Sequence, residues 1–228
     1  ILFGQAAQAR KDVDALLALA SKLGPVSVLP TGANRVAALD IFGAPKQTAA
    51  KLAEKAKLVI MLGDVNLVPE ALADKKVIYM GTHKTLLAEQ AHLCLPTSAF
   101  SEQDGWWVNA EGRVQVAAAA VKPPLNAKPE WKIFRALSGE LDKTPLPFDT
   151  LEQLREQLTE AVPAYAELNV IPELKKAEFK APASARLLKQ SLAASATNFY
   201  QSNAVMRASE NMANIRAEWL AMKKEKVA

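Results

Sequence analysis

The residues with the chemistry for a site are few in this 228-residue chain. His92 and Cys94 straddle Leu93, so on a strand their side chains leave the same face. A nucleophilic cysteine needs a base in hydrogen-bond contact and a third group that orients the base. Two residues on one face of a buried strand also fit a core position and a rim position, and that is the preferred reading. His83 follows Gly81-Thr82. It would be well placed as a general base, but a loop histidine satisfied by a backbone carbonyl is the simpler reading. Ser98, Ser101, Glu102 and Asp104 cluster along the chain, yet order and spacing do not establish a Ser–His–acid geometry. Trp106-Trp107 beside Gly105 could stack a base or ring; as a hydrophobic anchor for a loop it needs no ligand. Asn203–Arg207 with Ser209 reads equally as a capped helix start or a partner contact.

Metal chemistry meets a shortage of ligands. A structural zinc takes about four ligands and an iron–sulfur cluster about four thiolates. One cysteine and two histidines supply neither set, and no intrachain disulfide can form. The cysteine usage suits a reducing compartment. No dinucleotide fingerprint and no phosphate-binding P-loop pattern is present. Gly63 and Gly81 read as strand ends in tight turns, with a phosphate cradle as the unsupported alternative. No catalytic, cofactor-binding or metal-ligating residue is assigned, and no cofactor is expected in this chain.

Bulk properties set the frame. Half of the residues are apolar and 23% are charged, as in a folded globular domain. The net charge is +4. The densest basic run, Lys223-Lys224-Glu225-Lys226, is broken by an acid and reads as a solvated helix end rather than a nucleic-acid or lipid contact. No apolar run approaches the roughly 18–20 residues that span a bilayer. The opening Ile1-Leu2-Phe3-Gly4 reads as the tail of a strand, so a chain cut by processing, by gene splitting or by incomplete coverage of a longer subunit is expected, the three being equally open.

The elements that would position these residues alternate. Ile1–Phe3, Val26–Leu29, Lys57–Leu62, Lys76–Met80 and Leu93–Leu95 read as strands. Ala6–Leu23 carries apolar residues at helical spacing and stops at Gly24-Pro25. Gln47–Ala56 is a helix, and Pro69–Asp74 and Thr85–Ala91 are short ones, while Thr31–Gly43 reads as a loop. Short continuous apolar strands between helices imply α/β: an open, mostly parallel sheet with helices on both faces. Beyond Pro96 the pattern changes. Phe100–Gln115 is polar, and 123–129 is a proline-rich linker. Helices are expected over Glu130–Ser138, over Thr150–Val162 with Thr150 as N-cap, and over Phe199–Met222. Tyr165–Ala183 reads as irregular. The expected division is 1–122 as the α/β domain and 123–228 as an irregular and helical extension.

Several stretches resemble a known family. The stretch Phe100–Gln115, which ends Asn109-Ala110-Glu111-Gly112-Arg113-Val114-Gln115, resembles the "TEK-x-G-T-Y-x-N-x-EGR-x-Q" signature of molybdopterin oxidoreductase-like domains. Ala91–Pro96 resembles the segment that precedes it, with His92 in place of the usual Asp, and Val77–His83 resembles the strand and turn before that. Trp131-Lys132-Ile133 with Arg135-Ala136-Leu137-Ser138, Leu146-Pro147-Phe148-Asp149, and the tail Phe199-Tyr200 with Asn203–Ser209 resemble the large iron–sulfur subunits of respiratory complex I. Ala33-Asn34-Arg35 with Asp40 resembles a loop of the same family, with Ala37 where glycine is usual. The resemblance covers nearly the whole chain. It implies a molybdopterin oxidoreductase-like α/β fold and a structural, non-catalytic role in the peripheral arm of complex I, on the matrix side of the mitochondrial inner membrane or on the bacterial cytoplasmic face. The implied partners are other peripheral-arm subunits, above all a cysteine-rich N-terminal portion carrying the iron–sulfur clusters. A fragment of an active molybdopterin enzyme, with its pterin near Gly63, Gly81 and Asn109, is the alternative, and a free-standing nucleotide-binding domain is a third reading.

Overall fold

A computed structural model describes residues 1–63, 65, 67–141, 144–173, 179–180, 182–189 and 203–225. The chain forms two compact units whose segments interleave: Ile1–Ala44, Trp106–Ala117 and Arg155–Ala196 in one, Pro45–Gly105, Ala118–Leu154 and Thr197–Ala228 in the other. Each unit draws residues from both 1–122 and 123–228. The α/β class and the parallel pairing expected from the sequence are found in both.

The first unit opens with β1 (Leu2–Phe3), α1 (Gln5–Gln8), α2 (Val13–Leu23) and β2 (Ser27–Val28). β1 and β2 pair in parallel, Phe3 opposite Val28. The single helix expected over Ala6–Leu23 is two helices. The break falls at Arg10 and Asp12, which are 8% and 6% exposed, and their tertiary contacts outweigh the continuous helical period. α2 stops at Gly24, followed by a proline that cannot continue a helix.

The loop expected over Thr31–Gly43 is largely a helix, α3 (Arg35–Phe42). Asn34 at its N-cap lies in the left-handed region with φ 55°, a conformation that asparagine tolerates better than most residues. The polar stretch expected over Phe100–Gln115 contains a β-ribbon, with β6 (Gly105–Val108) paired to β7 (Val114–Ala117). Five connecting residues allow only an antiparallel hairpin. Gly112 turns it at φ +77°, and a Cβ there would meet Pro172 Cγ at 3.0 Å. Ala37, Val108, Val114 and Tyr165 form this unit's core, with Val36, Trp106, Leu158 and Val162 packed around it. Pro163–Ala166 is one 3₁₀ turn.

The second unit is built on β3 (Leu58–Leu62), β4 (Lys76–Gly81) and β5 (Leu93–Pro96), all parallel and in that order. α4 (Ala49–Glu54) precedes the sheet, with Thr48 Oγ1 accepting from Lys51 N as its N-cap. The helices expected over Pro69–Asp74 and Thr85–Ala91 shrink to single 3₁₀ turns, Pro69–Leu72 and Ala88–Gln90. Met61, Leu72, Val77, Tyr79, Leu87 and Ala88 form the core, so both crossovers pack on one face of the sheet. Alternation along the strands puts Leu58, Ile60, Leu62, Ile78 and Leu93 on the opposite face. There Leu58, Leu62 and Leu93 are 52%, 51% and 48% exposed.

α5 (Glu130–Leu141) runs one turn past the expected Ser138. α6 (Leu151–Ala161) starts with a reciprocal cap. Thr150 Oγ1 accepts from Gln153 N at 3.3 Å, while Gln153 Oε1 accepts from Thr150 N and Asp149 N at 3.2 and 2.6 Å. This is the capping box that Thr at N-cap and Gln at N3 encode. The expected Phe199–Met222 helix is α7 (Ala204–Ala208) and α8 (Glu210–Glu225). The part of that expectation at 199–202 lies outside the described residues, as do Lys226 of the basic run and Asp64 after Gly63.

Candidate functional site

In a parallel sheet the carboxyl ends of the strands are where ligands bind, so the site is sought there. In the second unit, the ends of β4 and β5 open onto a cavity of about 450 Å³ lined by Thr82, His83, Pro96, Thr97, Ala99, Glu102 and Pro124 to Ala127. Its polar groups are largely engaged with the chain itself. Thr82 Oγ1 and His83 Nδ1 are 2.8 Å apart. Tyr79 Oη donates to His83 O at 2.8 Å, which folds the phenol ring back over the strand end. A Cβ placed on Gly81 would lie 2.3 Å from Tyr79 Oη. The tyrosine thus fills the space where a backbone at glycine would let a phosphate approach.

The polar cluster beside the cavity closes turns. Glu102 Oε2 accepts from Ala99 N at 2.9 Å. Asp104 Oδ1 accepts from Ala119 N at 2.8 Å. Gln103 Nε2 donates to Ser98 O and to Glu130 Oε2, each at 3.2 Å. Ser98 is buried at 2% exposure with its Oγ unpartnered, so no histidine or acid is hydrogen-bonded to it. His92 Nδ1 accepts from Val77 N at 3.3 Å, while Cys94 Sγ donates to Ala88 O at 3.7 Å. The histidine and cysteine therefore hold two different backbone groups, and no nucleophile–base pair joins them. No group of three or more His, Cys, Asp or Glu able to hold a metal occurs among the described residues.

The first unit closes its strand ends in the same way. Gln8 Nε2 donates to Phe3 O at 3.1 Å and Leu29 O at 2.7 Å, stapling the carboxyl ends of β1 and β2. Asn34 Oδ1 accepts from Val108 N at 2.8 Å and its Nδ2 donates to Trp106 O at 3.1 Å, so one side-chain amide pairs with β6 as a neighbouring strand would. Trp106 is a core-edge anchor with the Arg155 guanidinium 5.1 Å from its ring centroid. The Tyr165 hydroxyl donates to Asp40 Oδ2 at 3.0 Å. Burial and that carboxylate push the phenol's pKa up from its ordinary 10.0. Asn109 Oδ1 accepts from Glu111 N and Arg113 N at 2.9 and 3.1 Å, and Glu111 pairs with Arg113 at 3.2 Å.

The remaining motifs pair with each other. Arg135 Nη2 meets Asp149 Oδ1 at 2.7 Å and its Nε donates to Phe148 O at 2.9 Å. Ser138 Oγ donates to Arg135 O and accepts from Leu146 N, at 2.7 and 3.0 Å. Trp131 and Phe148 pack as a tilted aromatic pair, ring centroids 6.3 Å apart and planes at 59°. Asn203 Oδ1 caps α7 by accepting from Met206 N at 2.9 Å, and Ser209 Oγ accepts from Met212 N at 3.4 Å. Of the two readings left open there, the capped helix start is the one these bonds realise. Phe199-Tyr200 of the same tail lies outside the described residues.

Residues 1–140 match the family model described as Molybdopterin oxidoreductase. The chain belongs to the molybdopterin oxidoreductase family. It is 36% identical over 197 residues to the NADH-ubiquinone oxidoreductase 78 kDa subunit, mitochondrial, of Candida albicans, covering 82% of this chain and 27% of that one. The protein of the same name in Neurospora crassa is 34% identical over 204 residues, covering 84% and 26%. The NADH-ubiquinone oxidoreductase 75 kDa subunit of Reclinomonas americana is 32% identical over 192 residues, covering 82% and 28%. The chain thus spans 26–28% of the length of these curated relatives.

The family's description implies a pterin, and the three positions weighed for one do not fit it. Gly63 N already donates to Met80 O at 2.7 Å. Gly81 lies under the Tyr79 ring. The Asn109 Oδ1 accepts two backbone N–H groups of its own turn and its Nδ2 donates to Glu111 Oε2 at 3.3 Å. With Gly63 N engaged and Gly81 covered, the strand ends do not fit a phosphate or a pterin edge.

The residues that sequence reasoning missed are Arg10 and Asp12. They form a buried ion pair at 2.8 Å whose side chains are 6% and 1% exposed. An Arg-x-Asp triplet carries no signal of burial, so only the folded chain brings it out.

Proposed function

We propose that this chain is a structural, non-catalytic portion of the peripheral arm of respiratory complex I. It supports the iron–sulfur-cluster-bearing part of the large subunit while electrons pass from NADH to quinone. The observation that carries this reading is the inward use of the motif side chains. Asn34, Asp40, Asn109, Arg135, Ser138, Asp149 and Asn203 each hold a turn, a cap or a neighbouring element. Catalytic groups need a free face toward the reacting atoms. The names of the relatives, NADH-ubiquinone oxidoreductase subunits, support the complex. Leu58, Ile60 and Leu62, successive residues on one face of β3 and all exposed, support a role in assembly, since contiguous exposed apolar surface marks contacts with other protein.

In this reading the chain itself holds no cofactor, and the clusters sit in a cysteine-rich N-terminal portion of the subunit. The chain lies on the matrix side of the mitochondrial inner membrane, without a span of its own. The test is a native-gel separation of solubilised membranes with an in-gel NADH dehydrogenase stain, the chain being followed by mass spectrometry. Comigration with a large NADH-oxidising band, alongside the cysteine-rich portion, is expected. A chain that runs apart from every NADH-oxidising band overturns the proposal.

A second reading, a fragment of an active molybdopterin-dependent oxidoreductase, is favoured by the family description over residues 1–140. Molybdenum or tungsten copurifying with the chain at one atom per chain would establish it and sink the structural reading.

A further inference from the structure

Arg10 and Asp12 do more than neutralise each other. Arg10 Nε and Nη2 both donate to the Asp12 carboxylate at 2.8 Å, one to each oxygen, which fixes the fork in plane. Each partner of the pair also reaches Leu188, which lies 178 positions from Arg10 and 176 from Asp12. Arg10 Nη2 donates to Leu188 O at 3.1 Å, and Leu188 N donates to Asp12 Oδ2 at 2.7 Å. Both backbone groups of Leu188 are therefore held as an adjacent strand would hold them. The side chains along this segment take little part: Leu187 and Leu188 are 55% and 46% exposed.

We propose that the Arg10–Asp12 pair is a peptide-backbone binding site whose ligand is the chain's own segment 182–189, recognised through the N–H and C=O of Leu188 rather than through its side chains. Three features make it a built site. The pair is buried, so salt screens it little. Its fork is preorganised by two parallel hydrogen bonds, the geometry that makes arginine–carboxylate pairs directional. The carboxylate presented to the Leu188 amide is ionised, held well below the usual range by the Arg10 guanidinium and then by that amide. An ionised acceptor makes the stronger kind of hydrogen bond. The clamp breaks the Ala6–Leu23 helical period to place itself, so α1 and α2 are separate helices where one was expected. Because recognition is by backbone, most side chains serve equally well at 188, while proline, which lacks the N–H, cannot be held.

The experiment uses the full chain and compares wild type with Asp12→Ala, Leu188→Ala and Leu188→Pro. Hydrogen exchange of the Leu188 amide is read against that of Asn169, which pairs with Val114 in the same unit. Trypsin cleavage after Arg186 is followed in parallel. Wild type and Leu188→Ala are expected to protect the amide alike and to resist cleavage alike. Asp12→Ala lowers Leu188 protection and Leu188→Pro speeds cleavage after Arg186, each about tenfold, while Asn169 protection is unchanged. Asp12→Ala could unsettle the unit as a whole, which a parallel loss at Asn169 would reveal; Leu188→Pro leaves the ion pair intact and then decides the matter. An unprotected Leu188 amide in wild type, cleavage in Leu188→Pro at the wild-type rate, or Leu188→Ala behaving like Leu188→Pro overturns the proposal.

Discussion

Replacing Gly81 by alanine tests whether Tyr79 closes the strand end. The two residues are two apart on β4, so their side chains share a face. A new Cβ would lie 2.3, 2.4 and 2.7 Å from Tyr79 Oη, Cζ and Cε1. The ring must leave. Tyr79 is 4% exposed and part of the core, so expelling it removes about 2 kcal/mol of apolar burial and about 1 kcal/mol for the bond to His83 O. Alanine returns about 0.5 kcal/mol of the entropy that glycine loses in a strand. The expected cost of Gly81→Ala is therefore about 2.5 kcal/mol, read as a shift in urea midpoint at constant slope. In a Tyr79→Ala background the clash is gone, and Gly81→Ala becomes stabilising by about 0.5 kcal/mol. The double-mutant cycle then gives a coupling of about 3 kcal/mol. Tyr79→Phe gives no rescue, because Cζ and Cε1 remain. Equal costs of Gly81→Ala in the wild-type and Tyr79→Ala backgrounds would refute the reasoning and leave the strand end open to a ligand.

Other expectations are quicker to check. Asn34→Ala leaves Val108 N and Trp106 O without their partner and should cost about 2 kcal/mol by chemical unfolding; asparagine's tolerance of φ 55° is lost as well. Tyr165→Phe removes one hydrogen bond to an exposed carboxylate and should cost about 1 kcal/mol. The Tyr165 phenol keeps its proton in the fold above its ordinary pKa of 10.0, so its contribution is complete below pH 10 and falls as pH rises beyond it; ultraviolet titration should show one tyrosine ionising only on unfolding. Asp12 runs the other way: its pKa falls from 3.8 to about 2, so its contribution is complete above pH 4 and fades as pH drops toward 2. Acid titration with exchange at Leu188 reads that loss directly, and protection lost already at pH 5 would contradict it.

The β3, β4 and β5 strands were legible because each is a continuous apolar run closed by glycine or proline, a signal that needs no tertiary information. The α6 start was legible for a similar reason, since Thr150 as a cap followed by Gln153 is a local device. α3 was hidden by Gly32, Asn34 and Gly43 at its ends, whose turn signals outweigh eight residues of helix. The β6–β7 hairpin was hidden by reading Trp106-Trp107 as a loop anchor, although aromatic and β-branched residues on either side of Asn109–Gly112 fit a ribbon. The break in the first helix had no local signal at all, because its cause is an ion pair whose further partner is Leu188. The motif residues were visible as a resemblance, but nothing in their spacing said that Arg135 and Ser138 of one stretch would hold Phe148, Asp149 and Leu146 of another.

That pairing changes what the motifs mean. A signature shared with redox enzymes invites a search for donors aimed at a ligand. In this chain the same asparagines, arginines and carboxylates are aimed at amides and carbonyls of the chain itself. Asn34 completes a strand edge, Asn109 a turn, Arg135 and Ser138 the approach of 146–149 to α5, and Asn203 a helix end. Each of these ties satisfies a backbone group of the chain itself. Replacing Asn34 or Arg135 leaves a part-buried backbone group unmatched, whereas the ties made by Ser138 and Asn203 are exposed and water can take their place. A loss-of-function substitution at one of these motif residues should accordingly register as lower stability or a failure to assemble, not as an altered reaction in a folded, assembled protein.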